Sequence, residues 1–310
     1  MNAANPRSIA CIGGASVDRR CIVSGPLRPG TSNPVVCETR AGGVARNVAE
    51  ALARLGCDVA LFSIVGEDEP GRRLLADLRG AGVDTSGVRR SSRHPTGDYT
   101  AVLGPSGRLE FGLADMAILD EADPTWAEGL AAPLADRELW FVDSNLSAET
   151  IERLLAFRSP GTTILADPVS VVKADRLCPV LPLLEAVFPD RQELERLTRM
   201  QVRNEAEVAA AAARLLELGP AAVIVTLGAE GVYVADRERR EAVPPIVPHG
   251  RLRDPTGAGD ALIAGYIYGL VTEEPDPVRL GLAAASVVLE SGGALSEISA
   301  PSIRERARAG

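Results

Sequence analysis

The segment Asp254-Pro255-Thr256-Gly257-Ala258-Gly259-Asp260 leads directly into an apolar stretch at residues 261–266. Small residues at a helix start allow successive backbone N–H groups to converge, and the helix dipole favours an anion at that end. Asp260 falls in the first helical turn, where its carboxylate can accept the proton of an attacking hydroxyl. The segment predicts a phosphoryl-transfer site in which Gly257, Ala258 and Gly259 hold the phosphoryl oxygens. Taken alone, a Gly-Ala-Gly-Asp segment would favour the simpler interpretation of a tight turn and a capped helix.

A second glycine-led segment lies at residues 42–47 and reads Gly-Gly-Val-Ala-Arg-Asn. Apolar residues follow it at helical spacing, and Gly56 is a stop signal. Asn47 falls on or beside the apolar face, where an amide needs hydrogen-bond partners. A ligand hydroxyl close to Gly43 would supply them. Two glycine-led helix starts, one with an amide and one with a carboxylate, fit a hydroxyl-bearing substrate that faces a phosphate donor.

Strand-like and helix-like segments alternate along the chain, which is the pattern of a parallel sheet with helices on both faces. Candidate strands are residues 8–13, 59–65, 139–142, 162–166, 186–188 and 221–226, and residues 205–218 are typical of an amphipathic helix. Such a sheet presents ligands at the carboxyl ends of its strands. Two stretches, 16–40 and 96–112, break the alternation and predict a small separate sheet.

Composition and charge exclude several classes of protein. With 310 residues and 46% hydrophobic content, the chain can bury a large core. Its formal net charge of −9 disfavours RNA or DNA as a partner, because binding of polyanions depends on clustered Lys and Arg. No apolar run approaches the roughly 20 residues of a membrane span, and residues 1–8 lack the basic and apolar regions of a signal peptide. We therefore expect no membrane association and a cytoplasmic location.

The cysteines and histidines do not suggest a metal centre. The five cysteines are an odd, scattered set without a Cys-x-x-Cys pair, which predicts reduced thiols and neither a disulfide framework nor a zinc site. His94 and His249 are the two histidines of the chain, and each stands in a turn-like or loop-like context. We therefore expect neither a histidine metal cluster nor a Ser-His-Asp hydrolase.

Over nearly its whole length the chain resembles the PfkB family of ribokinase-like sugar and nucleoside kinases. Gly42-Gly43 with Asn47 matches the first signature of that family, and residues 254–260 match the second, more specific one. The resemblance implies an α/β fold, namely a three-layer α/β/α sandwich with a mostly parallel central sheet and a small β lid. It also implies one kinase domain over residues 1–310, with lid segments inserted at about 16–40 and 96–112, and a homodimer formed through that lid.

Within the family, the chain is most similar to the pseudouridine kinases. The likeness is carried by residues 32–34, 43–47, 115–116, 143–147 and 167–170, together with Lys173. It implies transfer of a phosphoryl group from ATP to the 5′-hydroxyl of pseudouridine. A kinase of another ribonucleoside, such as inosine or adenosine, or of a free sugar such as ribose shares every catalytic residue and stays an alternative. A non-catalytic nucleoside-binding regulator is disfavoured, because Asp260 and the Gly-Ala-Gly turn are both present.

The resemblance also implies which residues contact the substrate. Asp18, just beyond the first strand, is expected to accept hydrogen bonds from adjacent ribose hydroxyls. Ser32 and Asn33 suit the edge of a uracil ring, and Lys173 can donate to a base carbonyl. The full set is Asp18, Ser32, Asn33, Gly43, Asn47, Asp115, Lys173 and Asp260.

On the nucleotide side, the resemblance implies ATP contacts from Asp190, Thr226, Gly228, Gly231, Gly257 and Gly259. Glycines that follow a β-branched strand allow close backbone approach to the nucleotide. Glu193 is expected to help organise Mg²⁺ through water, and Asp254 to help hold a monovalent cation such as K⁺. Asp190 stands where the family has asparagine. Its added negative charge affects nucleotide affinity and Mg²⁺ requirement, not the fold.

Overall fold

The computed structural model describes residues 8–248, 250, 256–291 and 295–309 of the chain. Its strands are β1 (Ile9–Ile12), β2 (Ser16–Val23), β3 (Val35–Gly42), β4 (Val59–Gly66), β5 (Val88–Ser91), β6 (Gly97–Leu103), β7 (Leu109–Asp115), β8 (Leu139–Asp143), β9 (Thr163–Asp167), β10 (Ala186–Val187), β11 (Ala222–Thr226), β12 (Val232–Ala235) and β13 (Arg240–Val243). Its helices are α1 (Val44–Arg54), α2 (Glu69–Ala81), α3 (Pro124–Gly129), α4 (Ala131–Leu134), α5 (Ala148–Leu155), α6 (Arg191–Thr198), α7 (Glu205–Glu217), α8 (Ala258–Val271), α9 (Pro277–Ser291) and α10 (Ala300–Ala309). Short 3₁₀ segments lie at Ala117–Glu121, Ala174–Leu183, Gly228–Glu230 and Leu295–Glu297.

The larger sheet has the strand order β13-β12-β11-β10-β9-β8-β1-β4-β5. Its strands from β11 to β5 in that order pair in parallel, whereas β12 and β13 form an antiparallel edge. A hydrophobic cluster lies on each face of the sheet, between the strands and the helices that cover them. The expected three-layer α/β/α sandwich with a mostly parallel sheet is confirmed.

Strand β1 shows how the layers form. Its four residues are completely buried, as a strand inside a parallel sheet requires. Ile9 and Cys11 pack into the cluster that contains α1 and α8, whereas Ala10 and Ile12 pack into the cluster on the opposite face, because successive side chains of a strand alternate. β1 lies between β4 and β8, so its carboxyl end opens beside that of β8.

Helix α1 begins and ends where the sequence signals predict. It spans Val44–Arg54, and Gly56 follows it with φ 87°. Gly43 precedes the helix with φ 95°, and a methyl group on it would lie 2.4 Å from the carbonyl oxygen of Gly14. Glycine allows both this close approach and this backbone conformation. Helix α1 therefore starts directly over the end of β1.

Helices α8 and α9 are apolar around most of their circumference, because they pack on the sheet and on each other. A methyl group on Gly265 would lie 2.5 Å from the carbonyl oxygen of Leu280, so the two backbones are in close contact. This packing fixes α8 against the sheet. No helix in the described part of the chain combines the length and the apolar character that a membrane crossing requires.

Strands β2, β3, β6 and β7 form a separate four-stranded sheet, which we call the lid sheet. Its order is β3-β2-β6-β7; β2 and β6 pair in parallel, and both edge strands pair antiparallel. These strands come from the two stretches that break the alternation, but β3 and β7 continue beyond the expected limits, to Gly42 and Asp115. Large apolar side chains are exposed on the edge strands, namely Val35, Val36, Leu109, Phe111 and Leu113.

The expectation that all five cysteines are reduced is wrong. Cys21 of β2 and Cys37 of β3 are joined by a disulfide, and Cys11, Cys57 and Cys178 are free. The bonded pair stands directly opposite in the antiparallel register, with Cα atoms 4.1 Å apart. Facing side chains of such a pair lie close together on one face of a sheet. Spacing along the sequence gave no sign of this, because the pairing depends on strand register.

A buried carboxylate ties the lid sheet to the larger sheet. Glu121 follows β7 and accepts hydrogen bonds from Ser91 Oγ at 2.6 Å and from His94 Nδ1 at 2.7 Å. Its other oxygen pairs with Arg89 at 3.1 Å and Arg93 at 3.0 Å. Hydrogen bonds from His94 and Ser91, supported by Arg93, lower the pKa of Glu121 to about 2. Arg93 and His94 lie just before β6, and Glu121 lies after β7. This one carboxylate therefore holds both ends of the β6–β7 hairpin.

Candidate active site

The candidate base lies in the first turn of α8. Gly257 precedes the helix in the left-handed conformation, with φ 80°, and Ala258, Gly259 and Asp260 are its first three residues. The space beside Gly259 is open, since a methyl group there would meet no described atom within 4 Å. The first N–H groups of a helix have no intrahelical partners, so this end of α8 is suited to bind an anion.

Asp260 faces the start of α1. Its Oδ2 accepts a hydrogen bond of 2.7 Å from Asn47 Nδ2. Burial raises the pKa of Asp260 to about 7; the bond from Asn47 opposes that rise, and the charges of Asp143 and Asp18 add to it. A carboxylate with a pKa near neutrality, next to an anion-binding helix end, is suited to accept a proton from a hydroxyl group.

Asp143, at the end of β8, joins the end of β1 to the start of α1. Its Oδ2 accepts hydrogen bonds from the backbone N–H groups of Gly14 (2.9 Å) and Ala45 (2.8 Å), and its Oδ1 from that of Asn145 (2.9 Å). Ala45 is the second residue of α1, whose own cap, Gly43, has no side chain, so Asp143 caps this helix from a distance. Burial raises the pKa of Asp143. We did not predict a role for this residue, although an aspartate that directly follows an apolar strand is a usable signal.

Two further carboxylates lie near the site: Asp167 is beside Asp143, and Glu193 is close enough to Asp167 for its charge to act on it. Asp167 ends β9 and is the register partner of Asp143. Burial raises the pKa of Asp167 well above its usual range, and the charges of Glu193 and Asp260 raise it further. Burial also raises the pKa of Glu193, in α6, to about 7. This part of the molecule therefore favours ligands that bring hydroxyl donors or cations.

Asp18 of β2 belongs to the same group. Its carboxylate lies against Gly42, where a methyl group would be 2.3 Å from Oδ1. Burial raises the pKa of Asp18, whereas a hydrogen bond from Ser16 and the charge of Arg46 lower it. The charge of Asp18 in turn acts on Asp260. The structure thus brings three predicted site residues, Asp18, Asn47 and Asp260, to one place.

Lys173 lies close to Asp143 and contacts Asn145, two residues further along the chain. Its Nζ donates a hydrogen bond of 2.6 Å to Asn145 Oδ1. Burial lowers the pKa of Lys173, and the charge of Asp143 opposes that change. Asn145 is a polar neighbour of the site for which we predicted no role, although it stands in the motif at residues 143–147.

The remaining substrate candidates lie elsewhere on the lid sheet. Ser32 and Asn33 are in the loop between β2 and β3, and the side-chain amide of Asn33 forms hydrogen bonds within that loop. Its Oδ1 accepts from the N–H of Arg28 at 2.8 Å, and its Nδ2 donates to two loop carbonyls at 2.9 and 3.0 Å. Asp115 is exposed at the end of β7. Among the described residues, no hydrogen bond joins these side chains to Asp260 or Asn47.

The nucleotide-side candidates gather at the ends of β10 and β11. Asp190 and Glu193 form a capping box at the start of α6: Asp190 Oδ1 accepts from the N–H of Glu193 at 2.7 Å, and Glu193 Oε2 accepts from that of Asp190 at 2.8 Å. The backbone of Asp190 forms an isolated parallel β-bridge with that of Thr226. Gly228 is in open space, whereas Gly231 packs tightly on the backbone of β13. Asp254, the cation candidate, lies outside the described residues.

Comparison with known proteins gives consistent matches. A model described as pfkB family carbohydrate kinase matches residues 6–301. The chain is 28% identical over 261 residues to a ribokinase of Haemophilus influenzae, which covers 83% of each protein. It is 26% identical over 283 residues to a pseudouridine kinase of Escherichia coli, which covers 91% of this chain and 90% of that protein. The structure of Arabidopsis thaliana ribokinase complexed with ribose and ATP has a TM-score of 0.82 at 21% identity and covers 98% of this chain and 99% of that one. The two relatives differ little in identity, so similarity alone does not select the acceptor.

Gly43→Ala should disrupt the start of α1. The new methyl group would meet the carbonyl oxygen of Gly14, and alanine is strained at φ 95°. We expect a loss of about 1–3 kcal/mol in the free energy of unfolding, measured with urea. Gly129→Ala is the matched control, because its methyl group would meet no described atom within 4 Å at the end of α3. Equal stability of the two variants would contradict the close approach of α1 to β1.

Proposed function

Because the chain belongs to the pfkB family of carbohydrate kinases, we propose that it phosphorylates the 5′-hydroxyl of pseudouridine with ATP as the donor. Kinases of this family are phosphotransferases that act on hydroxyl groups of sugars and nucleosides. The main support from the structure is the hydrogen bond between Asn47 and Asp260, which joins a candidate base to a second glycine-led helix start.

In the proposed reaction, Asp260 takes the proton of the 5′-hydroxyl as that oxygen attacks the γ-phosphorus. The bond from phosphorus to the bridging oxygen breaks, and ADP leaves with the electron pair. A pKa of about 7 makes Asp260 a stronger proton acceptor than an ordinary aspartate while leaving much of it ionised at neutral pH. The N–H groups at Gly257–Gly259 would hold the phosphoryl oxygens while negative charge shifts toward ADP.

The substrate side supports a ribose-bearing acceptor. Asp18 offers carboxylate acceptors and Asn47 an amide for ribose hydroxyls, both next to Asp260. Lys173, held by Asn145, offers a donor to a base carbonyl. A base is what distinguishes a nucleoside from ribose, so this pair favours the nucleoside. In the proposal, Ser32, Asn33 and Asp115 complete the base site from the lid sheet.

A kinase of ribose or of another ribonucleoside is the second candidate. The similarity to the ribokinase of Haemophilus influenzae favours it as much as the similarity to pseudouridine kinase favours the first. Asp18, Asn47 and Asp260 would serve any ribose. The two candidates therefore differ at the base side alone.

The nucleotide side fits a cation held through water. Asp190 and Glu193 each use one oxygen in the capping box, which leaves the second oxygen for a water of the Mg²⁺ shell. Within the described residues, no three metal-ligating side chains converge to bind an ion directly. When bound, Mg²⁺ would neutralise the phosphate charge. Aspartate at position 190 keeps the helix cap, since its carboxylate accepts the N–H of Glu193 as an asparagine oxygen would.

The lid sheet is the surface that we propose for a homodimer. Phe111 and Leu113 are two residues apart on β7, so they lie on one face, and each is more than half exposed, at 53% and 58%. Leu109, which is 52% exposed, lies beyond an irregularity in the β6–β7 register. Contiguous exposed apolar side chains mark protein interaction surfaces.

We also propose that the enzyme works in the cytoplasm, since the proposed reaction depends on ATP.

Asp260→Asn should lower turnover by about 10²–10⁴-fold, the typical contribution of a general base. In the wild type, kcat/KM should fall as the pH drops below about 7, because Asp260 must be ionised. Urea unfolding at pH 8 is the control. Since burial raises the folded-state pKa of Asp260, its ionisation weakens the folded state as the pH rises, and the variant should be at least as stable as the wild type. Near-normal turnover in the folded variant would remove Asp260 as the base.

Release of ADP should be fastest with pseudouridine in a panel that includes uridine, cytidine, adenosine, inosine and ribose. The C-glycosidic bond of pseudouridine leaves an N1–H that uridine lacks, so uridine would leave an acceptor of the proposed base site, such as Asp115, unpaired. We expect a specificity constant about 10-fold or more above that of uridine. Lys173→Met should narrow this gap by weakening the base contact. A higher specificity constant with inosine, adenosine or ribose would select the second candidate.

The double variant Phe111→Ser, Leu113→Ser should be monomeric. Light scattering during size-exclusion chromatography should give the wild type about twice the chain mass of 32.5 kDa and the variant one chain mass. Val172→Ser is the control, because Val172 is 83% exposed outside the lid sheet. A monomeric wild type, or a dimeric double variant, would exclude this surface as the interface.

A further inference from the structure

Arg46 is a buried cation beside the candidate base, and the function proposed above does not use it. It is 5% exposed and lies in the first turn of α1. Its Nη1 donates a hydrogen bond of 2.7 Å to Asn47 Oδ1, and its Nη2 pairs with Glu50. Its Nε is buried and has no partner among the described residues. A buried guanidinium with an unused donor is costly, which calls for a reason beyond the pairing with Glu50.

The contact with Arg46 fixes which way the Asn47 amide points. An amide has a donor end and an acceptor end, whereas arginine can only donate. With Arg46 on Oδ1, the Nδ2 of Asn47 must face away from it, and there it donates to Asp260 at 2.7 Å. The flipped amide would set its oxygen against the Asp260 carboxylate and its NH₂ against a guanidinium. Both contacts would be repulsive.

We propose that Arg46 is a positioning residue, which acts through Asn47 to orient and stabilise the ionised carboxylate of Asp260. The hydrogen bonds from Arg46 to Asn47 and from Asn47 to Asp260 couple a fixed cation to the proposed proton acceptor. The catalytic consequence rests on the proposed function. The effect on Asp260 itself does not, because it is a property of the free protein.

The charges around Asp260 show why such a cation matters. Asp143 from β8 and Asp18 from β2 raise the pKa of Asp260, and Asp167 from β9 interacts with it as well. Arg46 from α1 opposes them. Arg46 is itself surrounded by acids, since Glu50, Asp260 and Asp77 of α2 favour its charged form. Loss of Arg46 should leave Asp260 among like charges and raise its pKa.

A purely structural role would be to neutralise Glu50. That carboxylate has a second partner, Arg54, whose Nε and Nη2 lie 3.0 and 2.7 Å from Glu50 Oε1. Arg54 is 30% exposed and is on the side of Glu50 away from Asn47. Arg54→Gln therefore removes a cation from Glu50 without touching the amide. It is the matched control for Arg46→Gln.

The decisive measurement is the pKa of Asp260 in the free protein, from the ¹³C carboxyl resonance that disappears in Asp260→Asn. In Arg46→Gln we expect this pKa to rise by about one unit, at the low end of the roughly 1–3 units that a close opposite charge supplies. Turnover at pH 7 should fall about 5-fold, because the ionised fraction of Asp260 falls from about one half to about one tenth, while the KM for ATP changes less than about 2-fold, as expected for the loss of an interaction with the reacting group. Arg54→Gln should change neither.

An Asn47→Ala background tests whether Arg46 acts through the amide. There, Arg46→Gln should add less than about 2-fold to the loss of turnover, because linked residues are not additive. Arg46→Lys keeps a charge for Glu50 and serves as the folded variant if Arg46→Gln does not fold; it should show the same changes at smaller size. An unchanged Asp260 pKa in a folded Arg46 variant, an equal shift in Arg54→Gln, or a full-sized effect in the Asn47→Ala background would overturn the proposal. If no substrate is phosphorylated, the proposed function fails while the titration still tests Arg46.

Discussion

The buried carboxylate of Asp143 sets the geometry on which the candidate site depends. Its three backbone hydrogen bonds join the end of β1, the start of α1 and the end of β8 at one point. The glycines around it are there for space: a methyl group on Gly13 would lie 2.3 Å from this carboxylate. A buried charge is tolerated when hydrogen bonds satisfy it. Because α1 starts at this fixed point, Asn47 reaches Asp260 on a helix that is far away in sequence.

The parts of the structure that depend on local signals could be predicted. Apolar runs predict the strands of the larger sheet, and the glycines around residues 42–56 and 257–259 predict where α1 and α8 begin. The parts that depend on strand register or distant contacts could not. Asp143 caps α1 from another strand, and Cys21 meets Cys37 only after β2 and β3 have paired. Asn33 shows the same limit, because the hydrogen bonds of its amide depend on how the β2–β3 loop folds.

The candidate site concentrates negative charge. Asp143, Asp167 and Asp260 lie at or beside the ends of neighbouring elements, and each has a raised pKa. A neutral nucleoside can enter such a site and satisfy the carboxylates with its hydroxyl groups, whereas a nucleotide brings further negative charge. In the proposed reaction, nucleotide binding would therefore depend on cations more strongly than acceptor binding does. The acidic site therefore affects the two substrates of the proposed reaction differently: it repels the nucleotide and does not repel the nucleoside.

Glu121 attaches the lid sheet to the larger sheet through hydrogen bonds and ion pairs at a single carboxylate. The chain enters and leaves the β6–β7 hairpin beside this one carboxylate, so both ends of the hairpin are attached at the same point of the larger sheet. Two of the cations that pair with Glu121, Arg89 and Arg93, have side chains that are 40% and 71% exposed, so dissolved ions can screen these ion pairs. The attachment of the β6–β7 hairpin to the larger sheet therefore includes ion pairs that dissolved salt weakens.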